Sequence, residues 1–206
     1  MTYARLLETA TEHFGRKGYE GASTREIAAA SGTAMSSITY HFGGKEGLYL
    51  AVADHIAVQI SQRQSAALDA AWERAIITPA DAISALQDMV ESFARMLLAP
   101  DSAAWANFIV REQQEPTAAF ERLYDGAMHD LVEMLVRLIG VARPDLDDRA
   151  ARMTSIFLYG QAVILRIGFA SVCRTLGVDS LDGGTQAALL ARLRATTLCL
   201  LSEKSA

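Results

Sequence analysis

The sequence predicts an all-α protein with about nine helices. Apolar residues recur at helical spacing along most of the 206 residues, and the alternation that marks half-buried strands is scarce. Glycine and proline interrupt that spacing at intervals that suit the ends of helices. The chain is long enough for one or two domains with a buried core.

The first predicted helix covers residues 3–17 and ends at Gly18. Its inward-facing side chains are Leu6, Leu7, Ala10 and Phe14. A short second helix over 24–30 is predicted to begin with a capping box, in which Ser23 accepts from backbone amides and Glu26 reaches back.

A third short helix, over 35–41, follows a break at Gly32. The residue before this helix is Ala34, which offers the free amides no side-chain acceptor. Thr33 is the alternative cap and would start the helix one residue earlier. Two adjacent glycines then separate the third helix from a long one over 45–73.

Prolines and glycines also bound the rest of the predicted helices. Pro79 suits a first turn, Pro100 ends a helix, and the residue before Pro116 resists the helical conformation. The helices predicted after residue 73 are 80–98, 102–114, 117–139, 147–176 and 185–202.

Composition and charge narrow the class of protein. The formal net charge is −5, but residues 1–50 carry five basic and five acidic residues, so the excess acid lies in the remaining 156. An acidic whole chain therefore does not exclude a nucleic-acid-binding head. The hydrophobic fraction is 51%, which favours apolar surface reserved for a partner or a ligand cavity. Two cysteines without CxxC spacing favour a reducing compartment.

A membrane location is not expected. The segment nearest to a membrane span, residues 156–172, is shorter than about 20 residues and contains Gln161 and Arg166. The N-terminal segment is amphipathic and carries acids, unlike a signal peptide. We therefore expect a cytoplasmic protein with no membrane partner.

The two short helices joined by a glycine-containing turn form a helix-turn-helix motif. Ile27 and Ala30 are predicted to face inward from its first helix, and Ile38 and Phe42 from its second. The outer face of the second helix then carries short or flat hydrogen-bonding groups, where a merely solvated helix would more often carry Glu and Lys. This face predicts a recognition helix in a DNA major groove.

The candidate DNA-binding residues follow from that placement. Met35, Ser36 and Thr39 are placed to meet base edges and thymine methyl groups. The side chains expected nearer the phosphates are Ser37, Tyr40, His41, the point charge of Lys45, and Thr24 at a helix N-terminus. Arg25 could reach either a phosphate or a base. An isolated histidine is more often a structural residue, and that alternative for His41 stays open.

The head resembles the DNA-binding domain of the TetR family of bacterial repressors. The residues that carry the resemblance are Phe14, Gly18, Thr24, Ile27, Ala28, Gly32, Ile38, Tyr40, His41, Phe42, Lys45, Glu46 and Leu48. The rest is similar to the CecR-type branch, through "REQQEPTAAFERLYDGAM" at 111–128 and "FLYGQAVILRIG" at 157–168. The resemblance implies a DNA-binding domain over 1–46 and a helical ligand-binding and dimerisation domain over 47–206. It further implies a homodimeric, sequence-specific transcriptional regulator, in most such proteins a repressor released from a palindromic operator by a small effector.

The helix predicted at 147–176 is apolar on nearly all sides, so one stripe can face its own core and another a partner. With the last helix it would form a four-helix dimer interface, although a wholly internal core is the alternative. The residues expected at this interface are Leu158, Ala162, Leu165, Phe169, Leu189, Leu193, Thr196 and Leu200.

The middle helices are expected to supply an effector site suited to a small apolar or drug-like molecule. Met and aromatic residues at helical spacing supply its apolar part, although such stripes are more often plain core. Four polar residues that interrupt apolar surroundings are possible anchors, unless they pair with nearby glutamates. The candidate ligand residues are Met89, Phe93, Met96, Trp105, Asn107, Phe108, Arg111, Phe120, Tyr124, Met128, Gln161 and Arg166.

Three other classes of protein fit the sequence less well. An enzyme is disfavoured because the sequence has no HExxH, GxSxG or phosphate-loop pattern and its four histidines lack metal-ligand spacing. No cofactor or metal is expected. A redox sensor would need Cys173 and Cys199 to meet, and both lie in apolar helical contexts typical of inert cysteines. A non-specific architectural DNA protein would need a strongly basic surface.

Overall fold

The computed structural model describes residues 3–73 and 78–202, and every regular element in these ranges is helical. The prediction of an all-α fold is therefore confirmed. The helices are α1 Tyr3–Gly21, α2 Thr24–Ser31, α3 Met35–Phe42, α4 Lys45–Glu73, α5 Pro79–Leu98, α6 Ser102–Gln114, α7 Ala118–Leu123, α8 His129–Ala142, α9 Asp148–Ile167, α10 Phe169–Leu176 and α11 Gly183–Ser202.

Two predicted helices are each broken in the structure. The helix predicted at 117–139 is α7 and α8, separated by a π-helical turn over Tyr124–Met128. The helix predicted at 147–176 is α9 and α10, which meet at Gly168. Glycine favours the helical conformation less than other residues except proline, so Gly168 is a physically reasonable place for the break.

The described ranges contain no single helix that meets the length and hydropathy of a membrane span; α9 and α10 meet them only when taken together, and they are bent by 83°.

The residues at the N-caps of α2 and α3 test two predictions about helix capping. Ser23 precedes α2 but makes no side-chain capping bond, so the predicted capping box there is wrong. Ala34 holds the N-cap position of α3, again without a side-chain bond, so the helix does not start earlier at Thr33. A capping box that we did not predict begins α5, where Asp81 N donates to Thr78 Oγ1 over 3.2 Å and Thr78 N donates to Asp81 Oδ2 over 3.0 Å.

By packing, the chain forms two compact units. The first contains α1 to α3, α4 up to residue 62, and the segment 101–128 with α6 and α7. In this unit α6 lies against α1. A Cβ atom at Gly15 would lie 2.6 Å from the backbone oxygen of Ala104, so this approach requires glycine. These units are defined by packing, whereas the boundary predicted between residues 46 and 47 divides DNA binding from ligand binding. That functional boundary stays a prediction.

The second unit contains the rest of α4 together with α5 and α8 to α11. α5 packs against α8, α9 and α11, which bury its apolar face. The largest fully buried side chains of this unit are Leu86, Met89, Met134, Leu135, Leu138 and Ile139. Arg194 of α11 bonds Asp88 Oδ1 at 2.8 Å and Glu91 Oε2 at 2.9 Å, and so ties α11 to α5.

Candidate nucleic-acid interface

The helix-turn-helix is held by apolar side chains close to those predicted. Ile27 of α2 and Ile38 of α3 are 0% and 1% exposed. The small residue of α2 that packs inward is Ala28, whereas Ala30 is exposed, which corrects the predicted inner face by two positions. All four predicted core residues of α1 are buried. α3 is therefore fixed by one side, and its other side is left free.

The free side of α3 carries the predicted recognition residues. Tyr40 is 85% exposed and Met35 is 53% exposed. Ser36, Thr39 and His41 are also exposed, and Ser37 is half-buried. The rings of Tyr40 and His41 meet edge to face with 5.0 Å between centroids. Large aromatic and apolar groups left in solvent on a short helix indicate a surface that meets a partner.

The acidic residue of α2, Glu26, is paired with a lysine of α1. Thr24 is half-buried at the start of α2 and Arg25 is exposed beside it. Lys17 Nζ lies 2.5 Å from Glu26 Oε2. The hydrogen bond and charge of Lys17 hold the pKa of the Glu26 carboxyl below its ordinary value. The carboxylate nearest Arg25 in sequence is thus paired with a cation of α1, which lessens its repulsion of a phosphate backbone.

Lys45 is the first residue of α4 and is anchored within its own unit. Its Nζ donates to the backbone oxygen of Glu20 over 3.2 Å and lies 4.7 Å from the centre of the Tyr19 ring. The side chain is half-buried. Lys45 therefore joins the end of α1 to the start of α4, a role that we did not predict from the sequence.

The junction between α3 and α4 depends on glycine. Gly43 and Gly44 have positive φ angles of 73° and 128°. A Cβ atom at Gly47 would lie 1.7 Å from the backbone oxygen of Phe42, so no other residue fits there without a shift. Phe42 also stacks on Tyr3 with 5.3 Å between ring centroids. The start of α4 is thus packed directly against the end of α3.

Neighbouring residues Arg111 and Glu112 at the end of α6 connect α6 to α1 and α4. Arg111 Nε and Nη2 each donate over 3.2 Å to the backbone oxygens of Gly15 and Arg16. Glu112, which is 2% exposed, accepts from Tyr49 Oη over 2.6 Å. The sequence left open a pairing of Arg111 with a nearby glutamate. The acceptors of Arg111 are instead backbone oxygens of α1, and Glu112 accepts from a tyrosine.

Glu112 also accepts from the backbone amide and hydroxyl of Thr117 over 3.1 and 2.8 Å, at the N-cap of α7. Burial, followed by the hydrogen bond and charge of Glu112, raises the pKa of the Tyr49 phenol well above its ordinary value. Sequence reasoning missed this network because a glutamate in a helix is usually solvated, and only the fold brings Tyr49 to it.

Comparison with known proteins agrees with this arrangement. The profile of the tetR family of bacterial regulatory proteins matches residues 6–52, and that of the C-terminal domain of the HTH-type transcriptional dual regulator CecR matches residues 82–202. CecR of Shigella flexneri is 31% identical over 183 residues, which are 86% of this chain and 81% of that protein.

The chain belongs to the TetR family. Its C-terminal part is of the CecR type. The members that it matches are transcriptional regulators and not enzymes.

Solved structures of low sequence identity share the TetR-family fold. AibR, in complex with isovaleryl coenzyme A and operator DNA, has a TM-score of 0.70 and 16% identity, over 94% of this chain and 96% of that one. FadR of Bacillus subtilis, in complex with stearoyl-CoA, has a TM-score of 0.66 and 16% identity, over 99% and 100%. At this identity the likeness is one of fold.

The structure separates the predicted ligand residues of this TetR-family regulator into its two units. In the first unit Trp105 and Phe108 are buried, while Asn107 and Arg111 are exposed, which corrects their expected burial. Their helix turns these two side chains away from the core and, for Arg111, toward α1. Phe120, Tyr124 and Met128 are half-buried.

In the second unit Met89, Phe93 and Met96 are 1%, 8% and 6% exposed. Arg166 Nε and Nη2 donate to the backbone oxygens of Leu97 and Ala99 over 2.5 and 2.8 Å, where α5 ends. Three further side chains of this unit have a buried polar atom that finds no partner among the described residues. These atoms are Gln64 Oε1, Gln161 Nε2 and Thr197 Oγ1.

The first unit also contains an open cavity of about 630 Å³. Of the predicted ligand residues, only Arg111 lines it. Its other charged lining residues are Lys17, Glu20, Glu46, Glu112 and Glu115. Six charged side chains thus line this cavity, in contrast to the mainly apolar effector site with a few polar anchors that the sequence predicts.

The structure also assigns the two apolar stripes of α9. Leu158, Ala162 and Leu165 are buried inside their own protomer, as is Leu193 of α11. Phe169, Leu189 and Leu200 are half-buried, and Thr196 is exposed. The large apolar residues left exposed are Met153, Ile156, Phe157, Ile164 and Ile167 of α9 and Leu198 of α11. For Leu158, Ala162, Leu165 and Leu193 this placement corrects the expected contact with a partner, because these side chains already fill the protomer's own core. For the other four residues the expectation stays a prediction.

Cys173 is buried and Cys199 is exposed, and both are free thiols.

Proposed function

We propose that this TetR-family regulator is a repressor that binds a palindromic operator as a homodimer and is released by a small, largely apolar effector. The observation that carries the DNA-binding part is the exposed face of α3. This face presents Thr39, Tyr40 and His41 to solvent while Ile38 holds the helix to its unit. A helix held in this way can enter a major groove without losing its packing.

The roles of the recognition residues follow from their chemistry. The Thr39 hydroxyl and methyl and the Met35 side chain suit base edges and thymine methyl groups. The Tyr40 hydroxyl and His41 suit phosphate oxygens, which position a protein without reading sequence. Regulation of chromosomal genes would place the protein in the cytoplasm.

Dimerisation is supported by the exposed apolar stripe of α9. Phe157 is 66% exposed and Ile164 is 50% exposed, two turns apart on one face. An isologous interface of α9 and α11 from two protomers would bury both in a four-helix arrangement. Two recognition helices held by such a dimer would read two half-sites.

The effector site is supported by the buried Met and Phe stripe of α5 and by the unpaired buried polar atoms in the same unit. The relatives of like fold that hold acyl-coenzyme A are consistent with an effector that has an apolar body. Release would follow if the effector binds the DNA-free conformation more tightly than the DNA-bound conformation. The loss of operator affinity cannot exceed the difference between those two effector affinities.

The experiment begins with the intergenic DNA beside the gene. Footprinting on that DNA should show one protected palindrome, and mass measurement of the complex should give two protomers per site. Thr39→Ala should change the preferred half-site sequence, whereas Tyr40→Phe should weaken binding to all sequences alike. Equal affinity for the palindrome and for shuffled DNA of the same length would contradict the proposal.

Repression and release are tested separately on the same operator. A reporter placed behind the palindrome should become more active when the gene is deleted. Titration of candidate effectors against the operator complex should lower DNA affinity for those that bind. If every compound that binds the protein leaves the operator affinity unchanged, ligand release is wrong while operator binding stands.

A further inference from the structure

The polar group of the second unit that is hardest to explain is the side-chain amide of Gln64. Gln64 lies on α4 and is 2% exposed. Its Oε1 has no hydrogen-bond partner among the described residues. Its Nε2 lies 3.5 Å from the Met96 sulfur, and a thioether is a weak acceptor. The amide is therefore buried with almost none of its hydrogen-bonding capacity used.

Buried amides are almost always paired in folded proteins, because an unpaired polar group in an apolar setting is costly. A residue kept only for packing at this position would be leucine or methionine. Since Gln64 Oε1 has no partner among the described residues, a partner that arrives from outside the chain would account for it.

The sulfur that the Gln64 amide contacts belongs to an apolar stripe of α5. Met96, which it contacts, lies on the face of α5 that also carries Met89 and Phe93, and all three are buried. Directly after Met96, the backbone oxygens of Leu97 and Ala99 accept from Arg166. A molecule that reaches Gln64 would meet an apolar stripe with one amide set into it.

We propose that Gln64 is the polar anchor of the effector site and selects a neutral group that both donates and accepts hydrogen bonds. Carboxamides, lactams, alcohols and phenols carried on an apolar body belong to this class. The inference rests on the proposed effector site and specifies its chemistry.

The class follows from the two ends of the amide. Oε1 needs a donor, and Nε2 needs a better acceptor than sulfur. If the amide is flipped, so that Oε1 and Nε2 exchange positions, the ligand still needs one donor and one acceptor. A carboxylate, an ester or a thioester offers acceptors only, and would leave Oε1 unpaired.

The test uses four probes that share one body and differ in one group: 2-naphthamide, 2-naphthol, methyl 2-naphthoate and 2-naphthoate. Affinities for the full-length dimer are measured by calorimetry and ligand-observed NMR. The amide and the naphthol should bind at least about tenfold more tightly than the ester and the acid.

The matched variants are Gln64→Met and Gln87→Met. Gln87 is the control because its Nε2 already donates to the backbone oxygen of Arg194 over 2.9 Å. Gln64→Met should lose about tenfold in affinity for the amide and naphthol, with a melting temperature no lower than that of the wild type. Gln87→Met should lower the melting temperature and leave the probe affinities unchanged.

Three results would overturn the role of Gln64: equal binding of amide and ester to the wild type, an unchanged amide affinity in Gln64→Met, or no binding of any of the four probes. The wild-type comparison decides the matter even if Gln64→Met fails to fold.

Operator measurements separate this inference from the proposed function. If the amide binds through Gln64 but leaves operator affinity unchanged, the anchor stands and ligand release fails. If the ester releases the operator from the wild type and from Gln64→Met alike, ligand release stands and the anchor fails.

Discussion

The ammonium group of Lys45 makes structural contacts within its unit and is also predicted to contact DNA phosphate. It joins the end of α1 to the start of α4 through the Glu20 carbonyl and the Tyr19 ring, and it is also a predicted phosphate contact just beyond the recognition helix. An ammonium group has three donors, so a bond to one carbonyl leaves two for a phosphate. The internal contacts would then pre-position the charge for DNA.

We expect Lys45→Ala to weaken binding to operator and to shuffled DNA alike. The slope of log affinity against log salt should become shallower by about one unit for each protomer in contact with DNA, because one fewer counterion is released. Fluorescence anisotropy over a salt series measures both quantities. Arg192→Ala, on the exposed side of α11, is the control and should keep the wild-type slope. An unchanged slope in Lys45→Ala would exclude the phosphate contact.

Tyr49 gives a prediction for alkaline pH. Its pKa is raised by burial and by the hydrogen bond to Glu112, so the folded protein holds the phenolic proton more tightly than the unfolded chain does. The stabilisation is fully present below the unfolded pKa of about 10 and is lost as the pH rises above it.

We therefore expect Tyr49→Phe to lower the free energy of unfolding by about 2 kcal/mol at neutral pH, since Glu112 loses a hydrogen bond. The difference in unfolding free energy between the two proteins should narrow above about pH 10, because only the wild type loses stability when this phenol ionises in the unfolded chain. Urea unfolding from pH 8 to 11 measures it. A difference that stays constant across that range would show that the raised pKa does not contribute to stability.

At the scale of whole elements, helix ends were predictable where the chain carries a proline or a left-handed glycine. The helices α4 and α6 match the predicted ranges, and Gly32 and Gly177 end helices with φ of 69° each. The break at Gly168 and the π-helical turn 124–128 were not predicted, because the apolar spacing continues through both. Only packing against neighbouring helices distinguishes a break from a continuous helix at such positions.

The exposed face of α3 was predictable because its residues lie within one short motif, and its contacts with DNA stay a prediction. The residues at the end of α6 were not, because Arg111 and Glu112 find their partners 96 and 63 residues away. The same reason applies to Gln64, whose apolar partner lies 32 residues further along the chain. Sequence periodicity gives the face of a helix and leaves its long-range partner open.

The missing cap of α3 gives a prediction at this scale. Ala34 has the extended backbone of an N-cap, with φ −75° and ψ 141°, but no side chain to accept from the free amides. Ala34→Ser should raise the free energy of unfolding by about 1 kcal/mol. Ser23→Ala is the matched control, because Ser23 makes no capping bond and its loss should cost little. Thermal unfolding of the two variants checks the pair, and a destabilised Ala34→Ser would show that the start of α3 does not accept a side-chain cap.

At the scale of the whole molecule, the high hydrophobic content is accounted for in part by exposed surface. Of the large apolar residues that the structure leaves exposed, five lie on α9, among them Phe157 and Ile167. Apolar residues gathered along one helix face are typical of a protein–protein interface, whereas isolated ones are ordinary. The bulk composition predicted such a surface, and the fold locates it on the stripe opposite to the one that the sequence favoured.

This surface gives the last prediction. Ile164→Glu places a charge in the centre of the exposed stripe of α9 and should convert the dimer to monomers, because an unpaired charge cannot be buried in an apolar interface. Val58→Glu is the control, since Val58 is 52% exposed on α4 in the other unit and lies outside the proposed interface. Light scattering gives the mass of each variant, and footprinting shows whether one or both half-sites are protected. If Ile164→Glu remains a dimer while Leu198→Glu on α11 does not, the interface is formed by α11 alone; if both remain dimers, the two-fold arrangement through α9 and α11 is wrong.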